Sequence, residues 1–249
     1  MINLIISIFI GAAAWVLSAL FLFESNWTGI FFFFLFGVAS LIFLNKRTAK
    51  KVMPICMSAE TMMKNVQSLP SEQARTNLFD KVVAEFKKAY KYKNYQFFLE
   101  AQLNAQIGSL YYIQQRFKDA EPYLAKSFVQ NGPAICMYAC ILYRRGEKDA
   151  MAQQFEKALK FSPKQPLFWN LYAWCMLNLK DRTAAIAILN RCLQKNPGDK
   201  ITRDNLDLVK NSGKIHMRQY NEQWFQFLLD DPREMQKRLM DKYSVVRSR

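Results

Sequence analysis

Apolar residues run almost unbroken from Leu4 to Phe23 and again from Trp27 to Leu44, and Glu24 is the only formally charged side chain before Lys46. At about 1.5 Å per helical residue, each run is long enough to cross a hydrocarbon core about 30 Å thick. The pattern predicts a two-span transmembrane helical hairpin over residues 1–45, turning at Glu24, Ser25 and Asn26. A cleaved signal peptide would carry a basic segment ahead of its apolar core, and Met1-Ile2-Asn3 has none, so the hairpin is expected to be retained. Beyond it the pattern becomes amphipathic. Pro54 to Leu69 reads as a juxtamembrane segment, and Pro70-Ser71 as a break and helix start. Leu78, Val82, Val83, Phe86 and Tyr90 then recur at helical spacing, with Lys87, Lys88 and Lys91 around them. Tyr92-Lys93-Asn94 turns the chain, and a second helix is expected from Tyr95 through Leu99, Leu103, Ile107 and Leu110. Alternating apolar and polar runs are hard to find, so the expected class is all-α.

A repeat underlies the next hundred residues. Trp169, Tyr172, Ala173 and Met176 are followed by Ala185, Leu189 and Pro197; thirty-four residues earlier come Ile135, Tyr138, Ala139 and Leu142, then Gly146, Met151, Phe155, Ala158 and Pro163. A weaker copy lies upstream, with Asn104, Ile107, Gly108 and Tyr111, then Phe117, Ala120 and Leu124. It stands three residues closer to its successor, so its second helix is expected to be cut short near Gly132-Pro133. Small residues at Gly108, Ala139, Ala173, Ala120 and Ala185 let paired helices approach, and the prolines end the second helices because proline cannot donate to a continuing helix. No such pair buries its apolar face alone, so neighbours must stack.

This pattern resembles the tetratricopeptide repeat family over residues 101–198. The resemblance implies an α-solenoid with repeats at about 101–131, 132–165 and 166–198, with extra helices before and after. A fourth copy fails, since Asp207 and Lys210 fall where a small and an aromatic residue belong. Lys200–Lys210 therefore reads as a solvating cap helix. Another helix is expected beyond Gly213, carrying Trp224, Phe225, Phe227, Leu228 and Leu229, and then a polar helix from Arg233 to Tyr243. The domain reading is a hairpin at 1–45, a basic juxtamembrane linker at 46–70 and a helical body at 71–249, with cap and C-terminal helices at 199–249.

Charge bears on orientation. The chain carries a formal net charge of +15, and the whole excess lies beyond residue 45. Lys46, Arg47, Lys50 and Lys51 follow the second span directly, which by the positive-inside tendency places both termini in the cytoplasm, of a bacterial-type inner membrane in this reading. The same four residues are candidates for contact with a bilayer bearing anionic head groups. Nucleic acid, the other usual partner of a basic domain, is not expected, because the chain is tethered and carries no recognition motif for it. The five cysteines, Cys56, Cys136, Cys140, Cys175 and Cys192, make an odd count among apolar neighbours and read as free buried thiols.

Candidate chemistry is sparse. There is no glycine-rich phosphate cradle, no nucleophile elbow and no carboxylate set at metal spacing, and His216 is the sole histidine. No enzymatic activity, cofactor or metal is expected. The family register implies a concave groove lined by Ala105, Ser109, Tyr112, Cys136, Met137, Cys140, Tyr143, Arg144, Asn170, Trp174 and Asn178. Family members that capture acidic chaperone tails use a lysine–asparagine clamp; Ala105 and Ser109 occupy its first-repeat positions here, and Asn170 alone echoes it. An apolar lining suits an amphipathic helix, either from a partner protein or from the chain's own Tyr220–Leu229 segment. The expectation is a membrane-anchored scaffold or assembly factor; the alternative is a structural subunit of a larger membrane complex, in which Gly11, Ala12, Ala14, Gly37 and Ser40 offer contact faces.

Overall fold

The computed structural model describes residues 1–21, 26–66 and 71–229, and the helix expected at Arg233–Tyr243 lies outside them. Every regular element among the described residues is helical. Two compact units divide at Ile107/Gly108.

The first unit opens with α1 (Ile2–Phe21) and α2 (Asn26–Lys64), which pack against each other as an antiparallel pair. Gly11 makes the close approach possible, since a Cβ there would sit 2.7 Å from the Phe33 carbonyl oxygen, whereas one on Gly37 would sit at an ordinary 3.9 Å from the Gly11 Cα. These two small residues are used inside the hairpin rather than offered to further spans. The outer faces carry exposed apolar side chains such as Phe9, Leu20, Phe31, Phe34 and Phe43. Both helices contain stretches long and apolar enough to cross a membrane.

α2 differs from the sequence expectation. It runs for 39 residues and carries Pro54 in its interior, so residues 46–64, read as a linker, are the second half of the same helix. An interior proline costs about 3 kcal/mol, yet the flanking lysines, methionines and alanines are strong helix formers. Val52 and Ala59 are also buried on this half, along which α3 (Glu72–Lys88) packs. Ser71 caps α3 by accepting from the Ala74 amide at 3.1 Å, as its position after Pro70 predicts, and Val82, Val83 and Phe86 form its buried face. A short 3-10 turn, Ala89–Tyr92, follows. The next helix, α4 (Leu99–Ile113), starts four residues later than expected, after Phe98 adopts a left-handed φ of 61°.

In the second unit the helices pair as the repeat demands: α5 (Phe117–Leu124), then α6 (Gly132–Arg144) with α7 (Lys148–Phe161), α8 (Pro166–Asn178) with α9 (Arg182–Lys195), and α10 (Lys200–Ser212). α6, α8 and α10 begin at 132, 166 and 200, one 34-residue period each. α5 has 8 residues against 14 in α7 and α9, the truncation expected of the first copy. The turn inside each pair passes through one left-handed residue, Gln115, Gly146 and Lys180 in turn. Asn131, Asp181 and Asp199 cap α6, α9 and α10 by accepting from the amide three residues on. α10 buries only Thr202, Asn205, Leu206 and Val209, which makes it the solvated end of the stack. Beyond Gly213 the expected helix is replaced by a 3-10 turn at Met217–Tyr220 and a four-residue α11 (Glu222–Phe225). Positive φ values at Asn221 and Leu228 break any longer helix there.

Candidate binding groove and basic cluster

The first helices of successive pairs present one face, and the chain's own C-terminal segment lies across it. The His216 amide donates to the Asn205 side chain at 2.8 Å, and the Met217–Tyr220 turn packs on α8 with Met217 buried. Trp224, 1% exposed, sets its ring edge-on to Trp174 of α8 at 5.3 Å, and Trp174 in turn meets Tyr143 of α6 at 5.6 Å. The Tyr112 hydroxyl then donates to the buried Phe227 carbonyl at 2.5 Å, and the Arg144 guanidinium donates to the Leu228 carbonyl. The segment therefore crosses α8, α6 and the end of α4 in order, held by aromatic anchors and by its main-chain oxygens. Of the two occupants read from the sequence, the structure places the chain's own segment in the groove.

The residues beneath explain how those donors are presented. Arg144 stacks over the Phe117 ring at 4.7 Å, and Tyr112 meets the same ring at 5.1 Å. Phe117 thus orients both donors, a role the sequence did not show, because it read only as one position of the weakest repeat copy. Burial pushes the Tyr112 hydroxyl well above its ordinary range, with Cys140 beside it adding to the rise and Arg144 opposing it. It stays protonated at neutral pH and can only donate to the carbonyl.

Cys136 and Cys140 of α6 and Cys175 of α8 are fully buried and free. Burial raises the Cys136 and Cys175 thiols well above their ordinary value, and neighbouring cysteine sulfurs add to both shifts. Neutral buried thiols are packing groups, poor as nucleophiles. No group of His, Cys, Asp and Glu among the described residues is placed to hold a metal ion.

The other expected lining residues differ in exposure. Ala105 and Met137 are buried, and Ser109 is half-buried. Asn178 is exposed, with its amide turned back on the Trp174 carbonyl oxygen at 2.8 Å. Asn170 is fully buried. It donates to the Thr202 hydroxyl at 2.7 Å and to the Pro166 carbonyl oxygen at 2.9 Å, and accepts from Asn205 at 2.9 Å. It ties α8 to the cap helix α10 and offers nothing to a ligand.

In the first unit, Lys46, Arg47, Lys50 and Lys51 lie on α2 where the apolar stretch ends, and all four are exposed. Among the described residues none of them forms an ion pair. The start of α1 sits at the same level. Asn3, buried, donates to Asn45 and to Thr48 at 3.0 Å each, and the Met1 and Ile2 nitrogens donate to the Asn94 carbonyl oxygen at 2.6 and 2.7 Å. The beginning of α1 is thus on the same side of the hairpin as the residues that follow its second helix.

Residues 132–165 match the family model described as Tetratricopeptide repeat. That stretch covers α6, α7 and the turn into α8, the middle copy of the pattern read from the sequence. Neither a curated protein nor a solved structure matches the chain. A tetratricopeptide repeat is a protein-interaction fold, and residues 132–165 resemble one within an all-α helical stack.

Proposed function

We propose that this protein is a membrane-anchored scaffold, in which α1 and the first half of α2 span the bilayer and hold a tetratricopeptide-like surface at its cytoplasmic face without chemistry of its own. The observation that carries the reading is the combination of a matched repeat with a hairpin whose outward faces are apolar. Exposed apolar belts of that extent are unfavourable in water and at home in lipid. Cations without a carboxylate partner among the described residues, at the end of the second apolar stretch and level with the start of α1, support the orientation with both helix ends in the cytoplasm. A protein partner either displaces the 214–229 segment from the groove or binds outside it.

Cross-linking of the full chain in its native membrane, followed by identification of the attached protein, tests this reading. A partner that persists when the hairpin is exchanged for an unrelated two-span anchor supports the scaffold. Loss of the partner on that exchange favours a subunit held through its spans. An open apolar cleft of about 610 Å³ between Ala13, Ala14 and Leu17 of α1 and Phe32 and Phe36 of α2 is the observation on the side of that second reading.

A further inference from the structure

A second cavity lies at the foot of the hairpin. It measures about 300 Å³ and is lined by Asn3, Arg47, Thr48, Lys51, Tyr92 and Tyr95, with Ile6 and Leu44 on its apolar side. Its composition is graded along the hairpin: aliphatic side chains from the apolar stretches at one end, two cations one helical turn apart at the other. Asn3 and Thr48 form its buried polar floor and are bonded to each other. The cations are available, since neither Arg47 nor Lys51 has a carboxylate partner among the described residues. The Lys51 ammonium lies 5.9 Å from the centre of the Tyr92 ring, which also meets Tyr95 edge-on at 6.3 Å.

The neighbouring loop carries an independent signal. Tyr95, Phe97 and Phe98 are 40%, 43% and 60% exposed, immediately after Asn94, which holds the start of α1. Phe98 is kept in a left-handed conformation that a bulky side chain resists, at a cost of about 1–2 kcal/mol. Tyrosine concentrates at the level of lipid head groups, where an apolar ring with a polar edge is best solvated, and exposed Phe97 and Phe98 add apolar surface suited to the head-group and acyl boundary.

We propose that this cavity binds the phosphate-bearing head group of an anionic phospholipid, with Arg47 and Lys51 contacting the phosphate, Ile6 and Leu44 meeting the start of the acyl chains, and the Tyr95–Phe98 loop seated among adjacent head groups. The proposal rests on the reading of α1 and α2 as membrane spans. A phosphate is the anion that matches it, because two cations and two tyrosines line one cavity where hydrocarbon gives way to water. Lys46 and Lys50 stand outside the lining and contribute only to the general field of the surface.

The test uses the full chain reconstituted in vesicles of phosphatidylcholine alone or of phosphatidylcholine doped with phosphatidylglycerol. Flotation with the neutral vesicles reports insertion, and native mass spectrometry after gentle delipidation reports the lipid kept. The chain is expected to float with both and to keep phosphatidylglycerol selectively. Arg47→Gln with Lys51→Gln is expected to float unchanged and to lower the apparent affinity for the retained lipid about thirtyfold, as two basic contacts would. Lys46→Gln with Lys50→Gln, which removes equal charge, is expected to keep it. Failure to float overturns the membrane reading itself. Floating without selective retention, or equal losses in the two double variants, overturns the head-group site alone. Displacement of the lipid by inorganic phosphate at comparable concentration shows a site for free phosphate and likewise overturns the lipid assignment.

Discussion

Replacing Trp224 by alanine separates a detachable occupant of the groove from a permanent part of the core. The indole is 1% exposed and abuts Trp174. A buried tryptophan covers about 200 Å², worth about 5 kcal/mol at 25 cal per Å², and core tryptophan-to-alanine changes cost about 3–5 kcal/mol. Met217 and Phe227, at about 2 kcal/mol each, do not replace that loss. The expected outcome is local detachment, read by amide hydrogen exchange of the full chain in detergent micelles. A loss of 4 kcal/mol corresponds to about a thousandfold faster exchange. The amides of Phe227 and Leu228, which bond to Trp224 and Phe225, are the reporters. Amides of α6 to α9 keep their protection, and a synthetic peptide of residues 214–229 binds the variant but not the parent chain. Unchanged exchange at Phe227 and Leu228, or equal loss of protection throughout α6 to α9, would refute the reasoning.

Three further outcomes follow from local geometry. Gly146 has φ +76 with nothing near a would-be Cβ, so Gly146→Ala costs about 1 kcal/mol through backbone strain alone; Lys180→Gly at the equivalent turn, φ 65, gains about 0.5–1 kcal/mol, both visible as opposite shifts in thermal midpoint. Asn170→Ala leaves the Asn205 amide donor unpaired in a buried site and is expected to cost about 1–3 kcal/mol, with α10 losing exchange protection before α8. Burial, helped by Glu156 and opposed by Arg191, pushes the Tyr172 hydroxyl up to about 12. Because the folded value exceeds the unfolded one near 10, its contribution is complete below pH 10 and is lost as pH rises toward 12. Tyr172→Phe is therefore expected to shallow the fall of stability in that window, measured by denaturant unfolding across pH.

Much of the fold was legible because it is periodic. The 34-residue step from Pro163 to Pro197 reappears in the starts of α6, α8 and α10, and small residues such as Ala139 and Ala173 mark where helices touch. What escaped depends on non-local balance. Residues 46–70 read as a basic linker, but burial of Val52 and Ala59 on the half along which α3 packs goes with a helix that continues to Lys64. Tyr95 to Phe98 looked like a helix start because aromatics fit a helical pattern, whereas the chain reserves them for an exposed turn. Asn170 matched a family clamp by position, while its surroundings commit it to α10. The groove residues Tyr112, Arg144 and Trp174 were readable from register; that a nearby segment fills the groove is settled only by complementarity between Trp224, Phe227 and the surface they meet.

The unbroken course of α2 has a mechanical consequence. A helix resists twisting about its own axis, so the face that α3 packs against is keyed in angle to the residues of the apolar stretch before Lys46. One residue inserted between Asn45 and Val52 would turn one half against the other by about 100°, a misalignment that a flexible tether would absorb unnoticed. Rotation or tilt of the second apolar stretch is likewise handed directly to α3, with Pro54 as the single point of compliance. α2 is a driveshaft rather than a flexible link.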